Sequence, residues 1–299
     1  TRMDYLDTLS QFSSSLDYTN LDPAVKDQVG WILADTVAAM AAGSAEPELR
    51  AIAGRQASDT SIHAAQLIGL RRTSTPEAAA FINGTSGTFL EMDEGNRFSR
   101  GHPAVHVIPA ALALSQERQA TADNFLSAVV VGYEVGSRLG AASQLRGAMH
   151  PHGTWGTIGA GAACARIANM TASDMRQTLN ISASLTTATS KQTMLEGGLV
   201  RNVYAGLSNR NGLLALNLAE CGFTGEHDGP SSLLGKIISE SFDTTAVTQG
   251  LGQDWHLMRN YFKLHSCCRY NHGTLDALDL MASREDLPAI EDIARIEVV

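Results

Sequence analysis

The sequence predicts a mainly α protein: a large all-helical domain followed by the beginning of a smaller mixed α/β domain. Helix start and stop signals recur along most of the chain, whereas alternating strand patterns are almost absent until residues 293–299. The 299 residues are 44% hydrophobic and only 18% charged, enough apolar material for one large core.

The elements follow in order. In "LDPAVKDQVGWILADTVAAMAAG", Asp22 and Pro23 open a helix and Gly43 closes it. Its Val25, Val29, Ile32, Leu33, Val37 and Met40 recur at helical spacing. "STPEAAAFINGTSGTFLEM" starts at Thr75 and Pro76 and runs into an acidic cluster. Helices are also predicted over 121–143, 171–190 and 209–222, capped by Thr121 and by Thr171 or Ser173, and closed by Gly222. Val129 to Val131 could pass for a strand, but the longer pattern is helical. "GTIGAGAACA" lacks the third glycine of a dinucleotide fingerprint and no strand precedes it, so its small residues predict close helix approach instead. "IARIEVV" alternates and reads as a strand.

Two His-Pro pairs, His102-Pro103 and His150-Pro151, each stand directly before a run of small and apolar residues. Proline suits the first helical turn, and the outward N–H groups there carry the positive end of the helix dipole. An imidazole beside them adds a hydrogen bond or a charge, so both pairs are candidate anion sites. Ordinary turn punctuation would produce the same pairs.

Bulk charge narrows the classes. A net charge of -9 opposes nucleic acid and anionic membrane surfaces. No apolar run approaches the roughly 20 residues that span a bilayer, and "TRMDYLDTLSQ" lacks a signal-peptide core. The expectation is a soluble, cytoplasmic protein. Cys164, Cys221, Cys267 and Cys268 have no metal-ligand spacing, which predicts free thiols and no metal site. Serine-hydrolase, phosphate-loop and zinc-protease motifs are absent.

Four clusters carry candidate chemistry. The first, "FLEMDEGNRFSRGHP", packs Glu91, Asp93 and Glu94 near Asn96, Arg97, Arg100 and His102. Crowded carboxylates raise one another's pKa unless cations offset them. A solvated acidic helix end fits the same cluster. The second is His150 with His152. The third, "LVRNVYAGLSNRNG", carries Arg201 and Arg210, which surface anchoring would also explain. The fourth, "RNYFKLHSCCRYNHG", sets Lys263 behind two aromatics, with His265 and His272 following; a lysine in such company calls for a compensating anion.

Taken in this order, the clusters resemble the MmgE/PrpD family: L-E-x-D…G-H-P, then H-P-x-G-x-x-G-x-x-G-A-A-x-A, then V-R…R-N-G-L-L, then K-L-x-x-C-C…H-G. That family includes 2-methylcitrate dehydratase, cis-aconitate decarboxylase and iminodisuccinate epimerase. The resemblance implies an all-helical domain over 1–266, the start of an α/β lid over 267–299, a homodimer, and chemistry without metal or organic cofactor. It implies catalytic roles for Asp93, His102, His150 and Lys263. It implies substrate-binding roles for Glu91, Asn96, His152, Arg201 and His272. Where some decarboxylases of the family have lysine, this chain has Arg201, which holds a carboxylate but donates no proton at neutral pH. The implied substrate is a small anionic polycarboxylate, the implied reaction dehydration or decarboxylation, with epimerisation or a non-catalytic binding role as alternatives.

Overall fold

The computed structural model describes residues 3–57, 64–284 and 288–298. Its helices are α1 Tyr5–Ser15, α2 Pro23–Gly43, α3 Pro47–Gln56, α4 Pro76–Phe89, α5 Pro103–Arg118, α6 Ala122–Ala142, α7 Trp155–Ile167, α8 Ala172–Ser184, α9 Lys191–Leu195, α10 Val203–Glu220, α11 Gly229–Ser232, α12 Thr244–Thr248 and α13 His272–Ala282. Three two-stranded antiparallel ribbons decorate them: β1 Ala65–Leu67 with β2 Arg72–Ser74, β3 Gly95–Asn96 with β6 Asn260–Tyr261, and β4 Ser143–Leu145 with β5 Ser239–Phe242. The fold is mainly α, as the sequence predicts. Among the described residues no helix is long and apolar enough to cross a membrane.

Helix α7 is the axis of the core. Every residue from Trp155 to Ala165 is buried, as a helix apolar on all sides demands. Its small residues work as the sequence suggests. A Cβ on Gly159 would lie 2.7 Å from the Gly132 carbonyl of α6, and one on Gly212 of α10 would lie 2.4 Å from Ala160. Two helices therefore press against α7 at backbone distance. Helices α5 and α8 close the remaining sides, and Ile82, Ile108, Ala110, Leu213 and Leu216 lie in one continuous core.

A buried ion pair extends the order outward. Glu134 and Arg138 of α6 are fully buried and pair at 2.9 Å. Arg138 donates to the carbonyls of Val247, Gln249 and Asp254, and Glu134 accepts from Leu257 N at 3.0 Å. Residues 247–257 are thereby fixed, and the chain beyond them enters β6.

Several local expectations change. Gly43 does not close α2 by a left-handed turn. It is the contact point with α4, where a Cβ would meet the Ser86 carbonyl at 2.0 Å, and Ser44 is the cap. Asp22 stands at the N-cap without a side-chain hydrogen bond, whereas Thr75, Thr121 and Thr171 do cap their helices; Ser173 does not. The second His-Pro pair does not open a helix: α7 begins at Trp155, after a loop shaped by Gly153 at φ +91°. The helix predicted to 190 stops at Ser184, and α10 starts at Val203 rather than 209. Residues 293–298 are exposed and form no strand, since among the described residues no strand pairs with them; Val299 is outside the described residues. All four cysteines are free, with Cys164 buried and Cys221 exposed.

Gly159→Val should lower stability by about 1–3 kcal/mol, the usual cost of overpacking. Urea denaturation is the check; an unchanged midpoint would contradict backbone contact between α6 and α7.

Candidate active site

Helix α4 ends at Phe89, and Glu91 turns the chain away at φ +54°. The loop of residues 90–94 then enters β3, whose pairing with β6 sets Gly95 opposite Tyr261. Two residues beyond Tyr261, Lys263 folds back over the loop. Its side chain is fully buried, and Nζ donates to the Glu91 carbonyl at 2.9 Å and to Glu91 Oε2 at 3.3 Å. Asp93 Oδ1 lies at 3.5 Å, the outer limit of a hydrogen bond. Lysine burial is thus compensated by carboxylates of the chain itself.

Arg201 reaches the same loop from the 3₁₀ turn Leu199–Asn202. Thr88 of α4 pins that turn by donating to the Asn202 carbonyl at 3.0 Å. The guanidinium is buried, pairs with Glu91 Oε1 through Nη1, and donates to Asn202 Oδ1 at 3.0 Å. Its Nε is buried without a partner.

His102 occupies the N-cap of α5. Its Nδ1 is 2.7 Å from the Glu94 carbonyl, which can only accept, so Nδ1 carries the proton. Asp93 Oδ2 lies 3.2 Å from the same nitrogen. Burial holds the imidazole below its ordinary pKa despite the attraction of Asp93. A neutral His102 therefore has its lone pair on Nε2. Burial opposes ionisation of Asp93, but the His102 Nδ1–H and the Lys263 and Arg201 cations outweigh it and hold the carboxyl below the usual range.

His150 has the opposite tautomer. Its Nδ1 accepts from His152 N at 3.1 Å, which places the proton on Nε2. Burial first, and Arg201 second, push its pKa down to about 3. The loop around it is clamped by residues 187–191. His150 N donates to the Thr189 carbonyl at 2.9 Å, and Thr189 Oγ1 donates to the carbonyls of His150 and His152 at 3.0 and 2.6 Å. Gly153 must be glycine there, since a Cβ would meet Thr187 Oγ1 at 2.3 Å.

His152 stands between them. Its ring meets His102, His106 and His150 edge to face, with centroids 5.0, 4.5 and 4.6 Å apart. The result is a block of neutral imidazoles beside a compact group of two cations and two carboxylates. Among the described residues, no three His, Cys, Asp or Glu side chains are arranged to hold a metal ion.

The MmgE/PrpD N-terminal domain model matches residues 7–231, three quarters of the chain. The chain belongs to the MmgE/PrpD family. It is 27% identical over 251 residues to the cis-aconitate decarboxylase-like protein oryM of Aspergillus oryzae, covering 77% of this chain and 52% of that protein. It is 24% identical over 294 residues to the cis-aconitate decarboxylase of Aspergillus terreus, covering 92% of this chain and 60% of that protein. The chain thus spans between half and three fifths of these relatives.

The fold brings Glu91, Asp93, His102, His150, His152 and Arg201 of the matched region together with Lys263, which lies beyond it. Asn96 is turned to another use. Its Oδ1 accepts from Phe98 N and Ser99 N, its Nδ2 donates to the His256 carbonyl at 2.8 Å, and it is buried. It locks the turn before His102. His272 packs on His265 at 5.1 Å, and no hydrogen bond or ion pair among the described residues joins it to Asp93 or His102. Arg97, Arg100 and Arg210 are exposed.

The helix-mouth anion site is not free at α5: Glu94 Oε1 accepts from Ala104 N at 2.9 Å and occupies it. Glu94 also accepts from Tyr133 at 3.1 Å, and its own N–H is held by Asp35. Burial pushes Glu94 up to about 8 and Asp35 up to about 6. Sequence reading gave neither Asp35 nor Tyr133 a role. His106 lies one turn further along α5 than the His102 N-cap.

Glu94 is protonated in the fold up to about pH 8 but ionises near 4.5 when unfolded. The folded state therefore binds more protons between those values, and stability falls as pH rises through them. Glu94→Gln should flatten that fall in urea denaturation between pH 5 and pH 8. An unchanged slope would mean that Glu94 is ionised in place.

Proposed function

We propose that the chain carries the proton-transfer site of a cofactor-independent lyase acting on a small di- or tricarboxylate. The observation that carries the reading is the pair of neutral histidines fixed in opposite tautomers, His102 with a free Nε2 lone pair and His150 with an Nε2 proton. One is built to remove a proton and the other to deliver one.

The steps follow from those atoms. A substrate carboxylate lies against Arg201 and Lys263, which also stabilise the negative charge that builds on the enolate-like intermediate. His102 Nε2 removes the proton from the carbon next to that carboxylate, and Asp93 steadies the imidazolium that results. His150 Nε2–H protonates the departing hydroxyl, so water leaves and a carbon–carbon double bond remains. The imidazolate so formed, beside the Arg201 charge, takes back the proton held by the His102 imidazolium, and both rings return to neutral. Positioned acid–base groups of this kind contribute roughly 10²–10⁴-fold each.

Decarboxylation, the reaction named for the Aspergillus terreus relative, shares the carbanion and differs in the bond broken. Dehydration is placed ahead of it here because Arg201 cannot supply a proton. Epimerisation is favoured by the same base and acid pair if the proton is simply returned on the other face. The substrate is a small dissolved anion, and the expected assembly is a homodimer.

Proton NMR in D₂O with 2-methylcitrate, cis-aconitate, citrate and iminodisuccinate tests the reading. A new vinyl signal from citrate, or a new vinylic methyl singlet from 2-methylcitrate, is the expected result. An itaconate-type signal would replace dehydration by decarboxylation, and loss of an α-proton signal without a new skeleton would replace it by epimerisation. His150→Gln should lower turnover by about 10²–10⁴-fold with an unchanged circular dichroism spectrum. Full activity in that variant would remove His150 from the reaction.

A further inference from the structure

We propose that Glu91 is a built-in carboxylate surrogate: it fills the Arg201–Lys263 subsite and yields it only to a ligand that brings its own carboxylate and a second anchor. The proposal rests on the reading of Arg201 and Lys263 as a substrate-carboxylate subsite and adds what controls access to it.

Glu91 contacts both cations at once. Oε1 pairs with Arg201 Nη1 and Oε2 with Lys263 Nζ, the arrangement a bridging ligand carboxylate would adopt. The cations form the wall and Glu91 the outer partner: the Lys263 side chain is fully buried and that of Arg201 8% exposed, against 28% for Glu91. Glu91 also holds φ +54°, an uncommon region for a residue with a side chain.

Two further features fit exchange. Arg201 Nε is buried and unpartnered, so Glu91 uses only one edge of a fork that takes carboxylates through two donors. And neither cation is stranded if the Glu91 side chain leaves. Lys263 keeps the Glu91 carbonyl and Asp93, and Arg201 keeps Asn202. A ligand carboxylate therefore replaces like with like.

Selectivity follows. A tethered carboxylate competes at high effective concentration, so a monocarboxylate is outcompeted. The apparent affinity of any ligand is lowered by the fraction of molecules in which the subsite is open. A polycarboxylate recovers that loss through its second contact. Glu91 thus acts as a specificity-determining residue rather than a direct substrate ligand.

Isothermal titration calorimetry of wild type, Glu91→Gln and the left-handed-tolerant Glu91→Asn with acetate and with tricarballylate is the test. Glu91→Gln should bind tricarballylate at least tenfold more tightly, acquire measurable acetate binding, and lower KM for substrate more than it changes kcat. Tricarballylate binding to wild type that is equal or weaker in both variants overturns the surrogate and leaves the polycarboxylate reading standing. Gained acetate binding with no tricarballylate binding in any form supports the surrogate and overturns the polycarboxylate reading. No binding of either probe by any form overturns both.

Discussion

The site depends on one constraint: Asp93, Arg201 and Lys263 are charged groups taken almost wholly out of water. Such groups persist only when partnered, because an unpaired buried charge costs several kcal/mol. Each partner comes from a different part of the chain. Asp93 and Glu91 follow α4, Arg201 precedes α10, and Lys263 follows β6. Their mutual neutralisation ties three distant segments into one loop cluster. The β3–β6 ribbon is only two residues long, yet it sets the register that brings Lys263 over Glu91. The Glu134–Arg138 pair in α6 secures the approach to β6 from behind.

The histidines obey a complementary rule. Burial beside cations keeps His102, His106, His150 and His152 neutral, and backbone groups then decide where each proton resides. A carbonyl assigns Nδ1–H to His102, and an amide assigns Nε2–H to His150. The helical core makes this possible. A Cβ on Gly156 would lie 2.7 Å from the His106 ring, so only glycine lets α7 pack against the imidazoles. Stability and chemistry therefore share the same small residues.

Much of this was legible in the sequence, for identifiable reasons. Proline and threonine mark helix starts through local geometry, and the small residues of 156–163 announce close packing without any partner being known. The acidic cluster, the His-Pro pairs and the lysine after aromatics are dense enough in ionisable groups to stand out from a helical background. What escaped were features made by tertiary pairing. A two-residue ribbon has no periodicity to read, so the link from Gly95 to Tyr261 was invisible. Asn96 is polar and adjacent to the cluster, but its amide is spent on a turn. Arg201 reads as a ligand for an external carboxylate, whereas the fold already gives it Glu91. Residues 293–298 alternate like a strand, but among the described residues no strand pairs with them.

The central claim is that His102 and His150 are neutral and hold their protons on opposite nitrogens. Long-range ¹H–¹⁵N correlation of the histidine rings at pH 7, assigned with His102→Gln and His150→Gln, measures this directly. The expected result is Nδ1–H for His102 and Nε2–H for His150. Two identical tautomers, or a protonated imidazolium at either position, would contradict it.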